Sequence, residues 1–326
     1  MAAQKLVFAS KAERDNYYKL RRQWGKNYHI YPNLPFLMVF NTKDLFDFSN
    51  LDLKKIELSK IEWSRLKKTS IDYTLCDEND VPLVCIEFDG LQDGFNVGRE
   101  YRTELPSDPW RQEITELKLK VAHGSMFPYF VVGSCHFANF SQDIQLTIVD
   151  GIIGEVLAKR VTHERLAKGF SPEDAGWSQE HFDKLHELEQ HDIIQDWVFG
   201  VEVQAECENN PITVKCWDLK REVGISGWAT RYVEYPEAPG VDFMSTIENM
   251  KARIKALENA TLVGAECIVK TPDLGPVKRT CWLPNFKTPY FTGLGLMEEM
   301  AQLMALDWIK RQRESKSVTV DPVTKE

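Results

Sequence analysis

The sequence predicts an α/β domain followed by an α+β domain, and three observations support this. Two β-rich runs flank a cluster of turn formers near residue 79, a helical stretch and an apolar strand follow them, and the last third alternates strand-like with helix-like runs. The 326 residues allow about two domains of roughly 150 residues each. The expected boundaries are 1–142 for the first domain, 143–196 for a helical connector and 197–326 for the α+β domain. Hydrophobic residues make up 43% of the chain and charged residues 27%, which suits a packed core and not a disordered chain.

Composition also excludes whole classes of function. No window offers the roughly 18 apolar residues that a membrane-spanning helix needs, and MAAQKLVFASKAERD lacks the basic-then-apolar order of a signal peptide. The expectation is a cytoplasmic protein that does not meet a membrane. Seven cysteines, odd in number and never in CxxC spacing, suggest neither a disulfide framework nor a sulfur-rich zinc site. They read as reduced core residues. A net charge of −9 argues against nonspecific coating of nucleic acid, which depends on neutralising many phosphates, and still allows a local basic groove.

Taken in order, residues 11–24 have helix-forming composition, and Pro32 and Pro35 make residues 28–40 extended. Residues 51–68 carry apolar positions at 53, 56, 61, 63 and 66 and read as helical, with their lysines on a solvated face. Residues 70–90 form a hairpin, 91–109 a loop containing Gly94, Gly98, Pro106 and Pro109, and WRQEITELKLKVAHG a helix leading to the strand 129–135. From about Gly154 the chain looks helical, with Ser171 and Pro172 placed as N-cap and first-turn residue of a short helix. Residues 197–207 and 211–217 read as strands, 244–260 as a helix, TLVGAECIVKT and VKRTCWLP as strands, and 294–313 as a final amphipathic helix. Ala205-Glu206-Cys207 with Cys216-Trp217 echoes Ala265-Glu266-Cys267 with Cys281-Trp282, but the spacings differ and favour coincidence over duplication.

The hairpin carries the chemistry. A turn centred on Asn79-Asp80 makes paired positions sum to 159, which sets Asp72 opposite Glu87. Asp72, Thr74 and Cys76 then share a face with Glu87, Cys85 and Leu83, while Ile71, Tyr73 and Leu75 share the other with Phe88, Ile86 and Val84. Asp89 returns to the carboxylate side if the strand continues. Like charges facing each other across a hairpin are destabilising and call for compensation. A divalent cation such as Mg²⁺ or Mn²⁺ supplies it, held by Asp72, Glu87 and Asp89 and able to activate water against a phosphate. Solvent exposure, or pairing with nearby Arg and Lys, is the alternative. The following helix offers Arg111, Thr115 and Lys118 on one face, and Lys120 is out of phase. Acids on a hairpin, then a cation on a helix, then a buried strand is the order that phosphodiester cleavage requires.

ID-Y-x-L-x(7)-PLVCIEFDG, with its Arg/Lys-bearing helix and apolar strand, resembles the PD-(D/E)XK nuclease superfamily. It is most similar to the compact branch related to very-short-patch-repair and restriction-like endonucleases, over about residues 10–140. The resemblance implies a restriction-endonuclease-like core, a mixed sheet flanked by helices. It also implies that Asp72 and Glu87 are metal-binding acids, that Asp89 stands where the E-x-K lysine is usual, and that Lys118 or Arg111 supplies the displaced cation. The E-x-K lysine is absent, and Leu91-Gln92-Asp93-Gly94 replaces the histidine that often follows I-E-x-D-G. Relatives with a displaced lysine include both active enzymes and inert binding modules, so fold and turnover are separate expectations.

Other constellations are weaker. His181, His186 and His191 recur every five residues and do not stack on one helical face, and Gly293-Leu294-Gly295 lacks a full phosphate-loop pattern. No G-x-S-x-G elbow occurs, and Cys135-His136 are sequence neighbours that a strand would point apart. Trp217, Trp228 and Trp282 suit a core better than a base-stacking surface. Acids on adjacent strands lie closer than the ~5 Å or more that a glycosidase needs.

The expected function is therefore a Mg²⁺- or Mn²⁺-dependent nuclease acting on nucleic acid, DNA first. Catalytic roles fall to Asp72, Glu87, Asp89, Lys118 and Arg111. The rival is an inert nuclease-like scaffold that binds nucleic acid or protein. An acidic protein acting on DNA would use a protein partner for recruitment, with the C-terminal domain as the surface to meet it. The sequence sets no oligomeric state.

Overall fold

The computed structural model describes residues 8–43, 45–47, 54–89, 92–95, 101–103, 109–225, 227–235, 262–284, 286, 288, 291 and 293–318. Helix α1 (Lys11–Trp24) starts where Ser10 accepts a hydrogen bond from the Glu13 amide, and it buries Glu13, Asn16, Leu20 and Trp24. It leads into β1 (His29–Pro35), which Pro35 ends, and the single turn α2 (Phe36–Val39) follows. Residues 28–40 are thus only partly extended. Two short strands, β2 (Phe46–Asp47) and β3 (Lys54–Lys55), pair with each other. Helix α3 (Lys60–Leu66) begins late because Ser59 and Glu62 form a reciprocal capping box, so the helix expected from residue 51 is restricted to its second half.

The hairpin strands are β4 (Ser70–Cys76) and β5 (Pro82–Asp89). Tyr73 pairs with Ile86, Thr74 with Cys85 and Leu75 with Val84, the register deduced from the turn. Asp77 closes that turn through its carboxylate, which accepts from the amides of Asn79 and Val81, while Asp80 takes a positive φ of 62°. Beyond Leu75 the register slips, and Cys76 faces Pro82. This bulge moves Leu83 off the carboxylate face, and it packs with Tyr73, Leu75 and Ile86 instead. At the other end, Ile71 packs with Cys85 and Tyr129, away from Tyr73. In the stretch expected to be a loop, β6 (Gln92–Phe95) pairs with β7 (Tyr101–Thr103). Helix α4 (Pro109–Gly124) then crosses to β8 (Tyr129–Gly133), which lies parallel to β5.

The result is a mixed four-stranded sheet of order β1-β4-β5-β8, antiparallel except for its last pair. One face carries Cys85 and Tyr129 against Leu117 and Val121 of α4. The other carries Tyr73, Ile86 and Phe130 against α5 (Ile148–Leu166), a helix capped by Thr147 and Asp150. Gly151 of α5 is tightly covered: a Cβ there would meet the side-chain ends of Leu296 and Met300 at 2.7 Å, and both would have to shift.

After a 3₁₀ turn at Pro172–Ala175, with Ser171 and Pro172 at the expected N-cap and first-turn positions but no capping hydrogen bond from the Ser171 side chain, come α6 (Gln179–Phe182), α7 (Glu187–Asn209) and α8 (Pro211–Val223). The strands expected at 197–207 and 211–217 are helices. Val198, Phe199, Val201 and Val203 favour strands locally, yet Val201 and Ala205 stand one turn apart and are buried, so packing decides. The boundary expected at residue 197 therefore falls inside α7. The sequence echo is also coincidence: its first copy is helical, and its second lies in strands.

Strands β9 (Ala229–Tyr235), β10 (Leu262–Thr271) and β11 (Gly275–Pro284) form an antiparallel sheet of order β11-β10-β9, packed against the last helix, α9 (Leu294–Val318). β9 has no counterpart in the sequence expectation, and the helix expected at 244–260 lies outside the described residues. One apolar cluster runs from Tyr73 and Phe130 through Ile152 to Val263 and Leu306, across both expected domain boundaries.

Three carboxylates meet where α5, α7 and α9 converge. Burial pushes Glu155 up to about 7, with Glu206 adding to the shift, and burial likewise raises Glu299 to about 8 and Glu206 above its ordinary value. Thr213 and Asn210 donate to Glu299 and Glu206, while the Lys159 charge pulls Glu155 and Glu206 the other way. Raised carboxyl pKa values mean that the folded chain binds these protons more tightly than the unfolded one. Their contribution to stability is complete below the ordinary value of about 4 and is lost as pH rises through about 7 to 8. The thermal midpoint should fall between about pH 5 and about pH 8 and level off above that, and the Glu155→Gln, Glu299→Gln double variant should flatten that fall. An unchanged slope would assign the pH dependence elsewhere.

Candidate active site

The site is built where the start of β4 meets the end of β5, beside α4. Lys118 is only 4% exposed, and its ammonium donates to Glu87 Oε1 at 2.6 Å and to the Ser70 carbonyl at 2.7 Å. Its place follows from helical phase, because Leu117 and Val121 bury the same side of α4 against the sheet. The second Glu87 oxygen accepts from the Tyr129 hydroxyl at 2.9 Å. Tyr129 is fully buried and its pKa is raised well above the ordinary value, by burial first and by the Glu87 charge second, so it remains a proton donor.

Asp72 lies beside this pair. Its Oδ2 accepts from the Phe88 amide at 2.8 Å, across the hairpin. Burial raises its carboxyl to about 7, and the Glu87 charge adds to the rise. The Phe88 amide and the Lys118 charge oppose it. The repulsion expected between Asp72 and Glu87 is therefore present, and the Phe88 amide first and the Lys118 charge second partly offset it.

Glu13 of α1 adds its charge to the environment of Asp72. It is buried, accepts from Asn33 Nδ2 at 3.1 Å, and its carbonyl holds the Tyr73 hydroxyl at 2.7 Å. Asn33 sits on β1 with a positive φ of 56°, between the Pro32–Tyr73 and Leu34–Ile71 pairs, and so directly opposite Asp72. Sequence reasoning missed Glu13 and Tyr129. The one available signal was Glu13's place on the apolar side of α1, in phase with Asn16, Leu20 and Trp24.

Of the expected site residues, the structure brings Asp72, Glu87 and Lys118 together. Asp89 is the last residue of β5, half-buried and level with Gly133 of β8. Among the described residues no group of three His, Cys, Asp or Glu side chains could hold a metal ion. Arg111 is exposed in the first turn of α4, two turns from Lys118, and among the described residues it forms no ion pair. Lys120, the residue out of phase, pairs with Glu62 at 3.0 Å. Helix α4 links two parallel strands and so runs antiparallel to them, which carries Arg111 toward the strand ends that bear Glu87 and Asp89.

The remaining constellations are structural. His181, His186 and His191 are exposed. Cys135 and His136 lie in a 3₁₀ turn instead of a strand, where His136 Nδ1 accepts from the Gly133 amide at 2.9 Å and burial lowers the imidazole pKa to about 4. Among the described residues no helix is long and apolar enough to cross a membrane. Comparison of the chain with protein-family models, with curated proteins and with solved structures gives no match.

Lys118→Met should cost about 3 to 5 kcal/mol, because it leaves the Glu87 carboxylate buried beside Asp72 with its cation removed. Adding Glu87→Gln should return most of that loss. Urea unfolding of the four members of this cycle measures the coupling, and a value below about 0.5 kcal/mol would contradict the arrangement.

Proposed function

We propose that the mixed-sheet portion of the chain, about residues 10–140, is a PD-(D/E)XK-type nuclease domain that hydrolyses phosphodiester bonds of nucleic acid, DNA first. The observation that carries this reading is the convergence of Asp72, Glu87 and Lys118 at one end of the hairpin, with the ammonium 2.6 Å from the carboxylate. Sheet topology supports it as well: β1, β4 and β5 are antiparallel neighbours in the sheet, and after α4 the strand β8 joins parallel to β5.

Two carboxylates fit a Mg²⁺ or Mn²⁺ ion, because such ions are commonly held by one or two carboxylates with water and substrate phosphate completing the shell. Asp72 and Glu87 would be those ligands, and Asp89 lies outside the pair. Bound there, the ion lowers the pKa of its water and neutralises charge on the phosphate. The chain's own residues prepare this. The Phe88 amide orients Asp72, while Lys118 and Tyr129 orient Glu87 and hold positive charge and a proton donor beside it. Arg111, exposed toward the same strand ends, would meet the nucleic-acid backbone and place it.

One observation favours the second reading, an inert nuclease-like scaffold. Both Glu87 oxygens already have protein partners, so this carboxylate is satisfied without an ion. Cleavage of mixed single- and double-stranded DNA and RNA, with Mg²⁺ or Mn²⁺, separates the two. The nuclease reading expects ion-dependent cleavage by the wild type and a loss of at least about a hundredfold in Glu87→Ala. Oligonucleotide binding without cleavage, equal in both proteins, would establish the scaffold.

A further inference from the structure

We propose that the cleft between α5 and α7 is a binding site for a nucleoside phosphate. It has a volume of about 690 Å³, within the range of small-molecule sites, and its lining comes from the end of α5, the 3₁₀ turn and the middle of α7. The inference is independent of the hairpin and of the nuclease reading.

Three features of the lining specify the ligand. Arg165 and Lys168 supply positive charge at one wall. The Arg165 guanidinium is held by Glu208 at 2.5 Å through Nη2, while its Nη1 is buried and has no hydrogen-bond partner. Nη1 itself is closed off from the cleft, and it is the exposed part of the Arg165 side chain, 30% of it, that lines the cleft with Lys168 and offers charge to a phosphate. Lys168 is exposed, and among the described residues it makes no ion pair.

Trp177 and Trp197 supply the second feature, flat apolar surface. Trp177 is 38% exposed, and Trp197 is fixed edge-on by Phe170 with ring centroids 5.4 Å apart. One turn beyond Trp197 on the same helix, Gly200 also lines the cleft, and an added Cβ there would find nothing within 4 Å. Glycine inside a helix costs roughly 1 kcal/mol relative to alanine, and no contact in the protein demands it here. Its effect is a bare strip of backbone on the floor of the cleft, next to Trp197, on which a planar ring can lie.

The third feature is a pair of carboxylates, Asp174 and Asp196, which among the described residues form no ion pair. Carboxylates beside an aromatic wall accept hydrogen bonds from ribose hydroxyls or a base amine. Phosphate on Arg165 and Lys168, ring over Gly200 and hydroxyls on the aspartates together describe a nucleotide. An isolated anion would leave the aromatic and acidic walls unused.

The test is calorimetric titration of the full chain with AMP, ATP, adenosine and inorganic phosphate. The expected result is binding of AMP and ATP, at least tenfold weaker binding of adenosine, and at least tenfold weaker binding of inorganic phosphate. Gly200→Leu should keep or raise the thermal midpoint, since its side chain enters open space, and should weaken AMP binding at least tenfold. Lys168→Ala should weaken AMP and leave adenosine unchanged. Glu87→Ala should bind AMP as the wild type does, whatever its cleavage activity. Three outcomes would overturn the proposal: no uptake of AMP or ATP by the wild type, undiminished binding by Gly200→Leu, or inorganic phosphate binding as tightly as AMP.

Discussion

The ion pair between Lys118 and Glu87 is the constraint on which the arrangement of the hairpin site depends. Two charges taken out of water gain little net stability compared with apolar residues of the same size, and the larger effect is on position. Lys118 reaches from α4 both to Glu87 and to the Ser70 carbonyl, so one ammonium fixes the helix against the two central strands of the sheet. It also sets the environment of Asp72, whose carboxyl would be harder still to ionise without that positive charge.

The surrounding fold holds this pair in place from every side. Above it, Leu117, Val121 and Tyr129 close the α4 face of the sheet. On the opposite face, Tyr73, Ile86 and Phe130 join the cluster that continues through α5 into the second sheet and α9. A buried hydrogen bond from Trp24 Nε1 to Asp150, at 2.9 Å, ties α1 to the start of α5. The mixed sheet and the helical layer therefore share one apolar core. The C-terminal sheet joins that core through Val263, Ala265, Cys267 and Val269, and among the described residues its strands place no side chain on Asp72, Glu87 or Lys118.

Much of the site was legible in the sequence because it depends on local rules. Four turn formers fixed the register that sets Asp72 opposite Glu87, and helical phase selected Lys118 over Lys120. The bulge that carries Leu83 to the other face was not legible, since one-residue slips leave no mark in an alternating pattern. Glu13 and Tyr129 were missed because they reach the site from elements far along the chain. In the helical layer the failure has a different cause. Val198, Phe199, Val201 and Val203 have strand propensity, and only the burial of Val201 and Ala205 one turn apart reveals α7. The Gly200 strip depends on that same correction, because a glycine in a supposed strand gives no hint of an open helical floor.

Asp72 and Glu87, oriented by Lys118 and the Phe88 amide, are the pair proposed to hold one divalent cation. Titration of the protein with Mn²⁺, followed by electron paramagnetic resonance, tests this most directly, with Asp72→Asn and Glu87→Gln as folded controls. The account predicts one bound ion in the wild type, displaced by Mg²⁺, and none at that site in either variant. An ion retained equally by all three proteins, or no binding by the wild type, would contradict it.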